Sequence, residues 1–400
     1  MKNPIIPYGK QEITEQDIQS VVDVLRSDFL TQGPKIKEFE VAFAKYIGAK
    51  YAVAVSNGTA ALHLSVLTMN IQPGDKVITT PITFVASANC VEYCHGEVVF
   101  ADINPLTYLI DIGSVRKLLE TSPKGTHKGI ILVDFAGRAV DLELFRSLAD
   151  EYGLWLIEDA CHAPGGYFLD SNNEKQHCGN GKFADLSIFS FHPVKHIACG
   201  EGGMITTNDE EIYKKLLSLR THGITRDVDS FTNSKNIAGG IESEAFPTWY
   251  MEMQELGYNY RLTDIQAALG SSQLFRANEN LQKRRLLASK YHTSFENLQF
   301  IKGHSQYIEG HAYHLYVIEV EDRLGLYNYL RQNNIFAQIH YIPCHLMPYY
   351  KDKGWEKGDL PYAENYYESC LSLPMYPTLN EEEITNIIKL IINYYNGIKN

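Results

Sequence analysis

Positive charge is in short supply. The sequence carries 36 lysines and arginines against 48 aspartates and glutamates, a net charge of -12. A nucleic-acid-binding surface needs a basic face, so that class is excluded. A local dipolar pocket for a phosphate is still permitted. Long apolar runs are also missing, and no stretch is long enough to span a membrane as a helix. The first residues, MKNPIIPYGK, lack the apolar core of a secretory signal. There is neither a GxGxxG fingerprint nor a P-loop lysine motif, so nucleotide binding of those kinds is not indicated. The seven cysteines are scattered and odd in number, which points to reduced thiols in the cytoplasm. Cys90, Cys94 and His95 lie close together, but no second CxxC or histidine pair follows to complete a zinc site. They read as helix-packing residues, and no metal is expected.

What is present describes a globular α/β protein. Of 400 residues, 44% are hydrophobic and 21% charged, enough for a sizeable core but too long for one. Two domains are expected, 1–270 and 271–400. The first alternates apolar strands with amphipathic helices. DKVITTP, EVVFADI, GIILVDFAG and LWLIEDA read as strands, and TFVASANCVEYC, GSVRKLLET and DLELFRSLADEYG as helices. Near-continuous apolar strands between such helices mean a mostly parallel sheet covered on both faces. In such sheets ligands gather beyond the carboxyl ends of the strands, where Phe84, Asp134 and Asp159 fall. From about His311 the pattern changes to a smaller α+β unit, with HAYHLYVIEV and FAQIHYI as strands. Near the N-terminus, Thr14 caps an amphipathic helix with Ile18, Val21, Val22 and Leu25 on one face. The long polar stretch 224–253 reads as a functional or interface loop.

Three local features bear on chemistry. YAVAVSNGTAALHL is a strand, a small-residue turn at Gly58 and Thr59, and a helix N-terminus, the arrangement that binds phosphate through free amides. Asp159 ends a buried strand, where a carboxylate needs a partner. It is either a helix cap or an acceptor for a protonated ring nitrogen. The stretch IFSFHPVKHIACGEGG puts Lys195 on a tight turn after Ser190 and before Gly202 and Gly203. Singly, these have bland readings as a surface lysine, a strand serine and a bulge. In the order phosphate turn, aspartate, lysine they match what pyridoxal 5'-phosphate (PLP) requires: a covalent lysine anchor, a carboxylate on the ring nitrogen and a phosphate cradle.

SFHPVK with GEGG, IEDACHA, SNGTAAL and GYNYRLTDIQAALG together resemble the DegT/StrS family of nucleotide-sugar aminotransferases, over nearly the whole chain. The resemblance implies the aspartate aminotransferase-like fold (PLP fold type I) and a homodimer with active sites at the interface. PYGKQ, VLRSDFLTQGP, TFVASANC, RTHGITRD and HYIPCHLMPYY with LSLPMYPTL are similar to the members that aminate UDP-linked 4-keto-6-deoxy-N-acetylhexosamines with L-glutamate as donor. By motif, Lys195 and Asp159 are then the catalytic pair. Gly58, Thr59 and Ser190 belong to the phosphate cradle, Phe84 and His162 to the ring faces, and Asn259 reaches the neighbouring subunit's phosphate. Tyr8, Asp28, Thr31, His340 and Tyr341 fall in substrate-contacting segments. VDFAG stands where HFAG is more usual, which leaves Asp134 without a role. Rival readings are the same chemistry on another UDP- or GDP-4-keto sugar, a dehydratase (Lys195 speaks against it), an NAD-dependent oxidoreductase and a non-catalytic PLP-fold sensor.

Overall fold

A computed structural model of the chain describes residues 5–235, 237 and 245–398. The middle of the polar loop expected over 224–253 lies outside the described residues.

The architecture is built on a seven-stranded sheet. Its strands are β1 (Tyr51–Val55), β2 (Lys76–Thr79), β3 (Glu97–Phe100), β4 (His127–Val133), β5 (Trp155–Asp159), β6 (Leu186–Ser190) and β7 (Gly203–Thr207). They lie in the order β1-β7-β6-β5-β4-β2-β3. Neighbours from β6 to β3 pair in parallel, while β7 is antiparallel to both β1 and β6. One strand therefore runs against six. The carboxyl ends of β1, β2, β4, β5 and β6 all open on the same edge, as the apolar pattern requires.

Helices cover both faces. α1 (Glu15–Leu25) and α2 (Pro34–Ile47) precede the sheet, and α3 (Gly58–Thr68) and α4 (Ala86–Tyr93) follow β1 and β2. α3 is buried nearly all round, including Ala61, Leu64 and Val66, which is how a helix inside a core reads. The Thr14 cap is present, its hydroxyl accepting from the Asp17 amide. The face of α1 that carries Ile18 and Leu25 is nevertheless exposed. The side turned inward holds Asp17, which is fully buried and accepts from Ser272, Gln273 and Arg276. Polar pairing, rather than the apolar stripe, decides that helix's rotation.

A second core gathers Leu287, Tyr291, Tyr316, Ile318, Leu326, Leu371, Ile387 and their neighbours, together with Ile6. It surrounds a three-stranded antiparallel sheet of β8 (Ile301–His304), β9 (Tyr316–Val320) and β10 (Cys370–Leu373). The N-terminal arm is tied there: Ile6–Pro7 pairs in parallel with Ile335–Phe336, and Tyr8 O accepts from Met375 N. The strand expected over FAQIHYI is reduced to Phe336 in that pairing and an isolated antiparallel bridge from Gln338 to Ser372 of β10. Among the described residues no helix is long and apolar enough to cross a membrane.

Candidate active site

The open edge of the sheet encloses a cavity of about 510 Å³. Ten of the residues singled out from the sequence line it: Tyr8, Gly58, Thr59, Phe84, Asp159, His162, Ser190, Lys195, His340 and Tyr341. They converge from elements far apart in the chain. β1 and α3 supply the turn, β5 supplies Asp159, β6 leads to Ser190, and the arm and the 340–341 segment close the top.

The turn at Gly58 is shaped for an anion. The Asn57 side chain accepts from Ala60 N, which leaves the Gly58 and Thr59 amides without an acceptor among the described residues. A free helix N-terminus of this kind attracts negative charge. Two glycines make the approach possible. A Cβ on Gly58 would stand 3.0 Å from Ser190 Cβ, and one on Gly203 only 2.5 Å from Asn57 O.

Asp159 sits at the cavity wall with most of its bonding accounted for. Its Oδ2 accepts from Ser87 Oγ at 2.6 Å, and Oδ1 accepts from Cys161 N at 3.2 Å. Ser87 Oγ is in turn 2.8 Å from Thr83 Oγ1. This buried hydroxyl pair fixes the carboxylate's rotamer. No spacing rule links residue 87 to residue 159, and the sequence reading missed both hydroxyls.

Lys195 follows β6 on a turn closed by its own amide donating to His192 O. Burial lowers its amine below the ordinary lysine value, and Cys161 and Asp159 draw it part of the way back. A lysine depressed in this way has more of the free base needed for nucleophilic and proton-transfer work. The histidines around it remain neutral. Burial holds His162 and His314 well below their ordinary range and pushes His340 down to about 3. The Ala136 amide donates to His162 Nδ1, so Nε2 carries the proton and donates to Tyr341 Oη at 3.3 Å. His314 packs against His162, the rings tilted by 33° with their centres 4.3 Å apart. His340 is held by Ser372 Oγ at 2.9 Å and faces the Tyr8 ring at 5.2 Å. Phe84 is 60% exposed at the mouth. His192, Glu201 and His314 also line the cavity, and no motif reading had singled them out.

Three expected site residues are elsewhere. Asp28, Thr31 and Asn259 are exposed and do not line the cavity. Thr31 bridges Thr263, and Asn259 bridges Thr221, both through the backbone. Asp264, early in α5 (Asp264–Phe275), acts structurally, its carboxylate accepting from Gly33 N and Lys35 N.

Comparison with known proteins places this arrangement. A model of the DegT/DnrJ/EryC1/StrS aminotransferase family matches residues 11–392. The chain is 35% identical to the spore coat polysaccharide biosynthesis protein SpsC of Bacillus subtilis, over 99% of this chain and 98% of that protein. It is also 35% identical to a UDP-4-amino-4,6-dideoxy-N-acetyl-beta-L-altrosamine transaminase of Campylobacter jejuni, over 94% of each. Among solved structures it is similar to Helicobacter pylori PseC, an aminotransferase involved in the biosynthesis of pseudoaminic acid, with a TM-score of 0.85, 30% identity and coverage of 98% of this chain and 100% of that one. The fold is the aspartate aminotransferase-like fold, type I of the PLP enzymes.

Proposed function

We propose, from the chain's membership of the DegT/DnrJ/EryC1/StrS aminotransferase family, that it uses PLP to move the amino group of L-glutamate to C4 of a UDP-linked 4-keto-6-deoxy-N-acetylhexosamine. The product is UDP-4-amino-4,6-dideoxy-N-acetyl-β-L-altrosamine, a precursor of pseudaminic acid. The observation that carries the chemistry is the convergence of the Lys195 amine, the Asp159 carboxylate and the free Gly58 and Thr59 amides on one cavity. These groups fit PLP: an anion seat at a helix N-terminus, a fixed carboxylate, and a lysine with a depressed amine. The choice of sugar is supported by the Campylobacter relative and by the likeness to PseC.

When bound, PLP supplies an aldehyde that takes up amines and a protonated ring that accepts the electrons released at the amine-bearing carbon. The chain's part is to hold and to move protons. Lys195 would anchor the cofactor covalently and, with its amine free, would serve as the base that moves a proton at the amine-bearing carbon. Asp159, held by Ser87 and the Cys161 amide, keeps the ring nitrogen protonated. Gly58, Thr59 and Ser190 seat the phosphate. Phe84 and His162 bound the ring faces, and a neutral His162 adds no charge to compete with Lys195. Tyr8, His340 and Tyr341 face the sugar. Asp28, Thr31 and Asn259, exposed on this copy, serve the assembled homodimer, with Asn259 reaching the other copy's phosphate site. Over both halves of the reaction glutamate leaves as 2-oxoglutarate and the C4 ketone becomes an amine.

A second reading, the same chemistry on another UDP- or GDP-4-keto sugar, is favoured by the equal identity to SpsC. An amination assay with L-glutamate on a panel of UDP- and GDP-4-keto sugars separates the two. The first requires turnover to be fastest with the UDP-linked N-acetylhexosamine of L configuration, with the C4 amine assigned by NMR to the configuration it has in the altrosamine. Preference for a D-configured or GDP-linked sugar rejects it.

A further inference from the structure

Asp134 has no part in the chemistry above, yet it is completely buried, as is Glu158 at 1% exposure. Each carboxyl is half satisfied. Asp134 Oδ1 accepts from Val140 N at 2.8 Å. Glu158 Oε2 accepts from Gly179 N at 2.8 Å and Ser187 Oγ at 2.6 Å. The other two oxygens, Asp134 Oδ2 and Glu158 Oε1, have no donor. The two carboxyls and the Cys178 thiol bring atoms within 4.8 Å of one another. Two ionised carboxylates cannot share a dry site, because repulsion adds to the cost of burying each charge. One proton between them removes the repulsion and lets one carboxyl donate to the other, which lies within hydrogen-bonding reach.

We propose that Asp134 and Glu158 share a single proton in the folded protein, and that this bridged pair pins the Asp134–Gly137 turn, which positions three residues of the active-site cavity. The turn needs pinning, since Ala136 sits at φ 60° and Gly137 at φ 98°, and an alanine seldom adopts that left-handed backbone unaided. Its bonds lead to the cavity in three directions. Asp134 N donates to Asp159 O, which ends β5 at the carboxylate. Ala136 N donates to His162 Nδ1 and sets that ring's tautomer. Gly137 O and Ala136 O accept from Ala312 N and Leu315 N, which hold the segment bearing His314. Asp134 and Glu158 are thus positioning residues.

Burial, with the Glu158 charge adding to it, holds the Asp134 carboxyl well above the usual carboxylate range; burial raises Glu158 too, while its bonds to Ser187, Asp134 and Gly179 draw it part of the way back. The remaining titratable groups facing it are Cys178 and Cys161, whose thiols burial keeps protonated, and Asp159. The folded state therefore binds a proton that the unfolded chain gives up near pH 3.8. Stability from this pair is complete below that pH and is lost as pH rises through the folded titration.

The test compares the wild type with Asp134→Asn, whose amide donates to Glu158 without a titrating proton and whose oxygen still accepts from Val140. Unfolding is followed from pH 5 to 9. The wild type's folded-to-unfolded ratio is expected to fall relative to the variant's by up to tenfold per pH unit. The wild-type infrared spectrum should also hold a protonated-carboxyl band at pH 7 that Asp134→Asn lacks. Parallel pH curves with no such band overturn the proposal. So does a stoichiometric metal in the purified wild type that the variant loses, since the site would then hold a cation. If Asp134→Asn does not fold, the wild type's infrared spectrum decides alone: a protonated-carboxyl band at pH 7 supports sharing, and its absence there rejects it.

Discussion

Gly203→Ala tests the anion seat with least disturbance to the chemistry. Gly203 begins β7 and makes no use of a left-handed φ, so the effect of a methyl is steric. That methyl would lie 2.5 Å from Asn57 O, 2.6 Å from Asn57 C and 3.0 Å from Gly58 N. All three are backbone atoms, which cannot swing away as a side chain can. To reach ordinary contact the turn must move by roughly 0.5–1 Å, which stretches a hydrogen bond of about 2.9 Å from the Gly58 or Thr59 amide to beyond about 3.5 Å. Each bond to a charged acceptor is worth about 1.5–3 kcal/mol. Losing one weakens phosphate binding by about 10- to 150-fold. Overpacking adds about 1–3 kcal/mol of lost stability. The assay is spectrophotometric titration of the apoprotein with pyridoxamine phosphate, which forms no covalent bond to Lys195 and so reports the seat alone. Gly202→Ala is the control, because its Cβ meets only side-chain carbons of Phe191 and Leu262 at 3.2 Å or more and should cost no more than a few-fold. Affinity within twofold of wild type in a folded Gly203→Ala protein would refute the reasoning.

Other outcomes follow from the same geometry. His162, His196, His311, His314 and His340 are all buried and held below their ordinary value of 6.5, so the unfolded chain binds protons that the folded protein refuses. Stability should therefore fall steeply as pH drops below about 6.5, by about 1.4 kcal/mol per pH unit for each histidine. A flat unfolding midpoint between pH 6.5 and 4.5 would count against neutral histidines, and His314→Gln should reduce the slope. Ser87→Ala removes the donor to Asp159 Oδ2 and should lower kcat about 10-fold or more with KM for the sugar little changed; steady-state kinetics showing an unaltered kcat would mean that the hydroxyl pair does not hold the carboxylate. Mixed dimers of Asn259→Ala and Lys195→Ala chains should regain activity above either parent, since one of the two sites then contains neither change. Activity no better than the parents would argue against Asn259 serving the other copy.

The sheet was legible because its strands are buried on both faces and read as unbroken apolar runs, from YAVAV to LSIFS. The cavity was legible in part for the same reason: groups at strand ends that line it, Asp159 and Ser190 among them, follow directly from where those runs stop. Lys195 needed the other two features beside it, since a lysine on a turn means nothing singly. What could not be read were contacts between residues distant in sequence. Ser87 reaches Asp159 across a strand crossing, and His314 reaches His162 from the opposite end of the chain. Asp17 overrode the apolar stripe of α1 because a buried carboxylate bonded to Arg276 outweighs a few exposed methyl groups. Asp28, Thr31 and Asn259, named from the resemblance alone, lie exposed outside the cavity.

The central claim concerns Lys195. Purified protein loaded with PLP should be yellow. On addition of L-glutamate alone its visible band should bleach while one equivalent of 2-oxoglutarate per site is released. Lys195→Ala, folded to the same thermal midpoint, should show neither the lysine-linked band nor that release at a comparable rate. A wild-type protein that takes up no PLP, or a Lys195→Ala variant that releases 2-oxoglutarate as fast as wild type, would contradict the account.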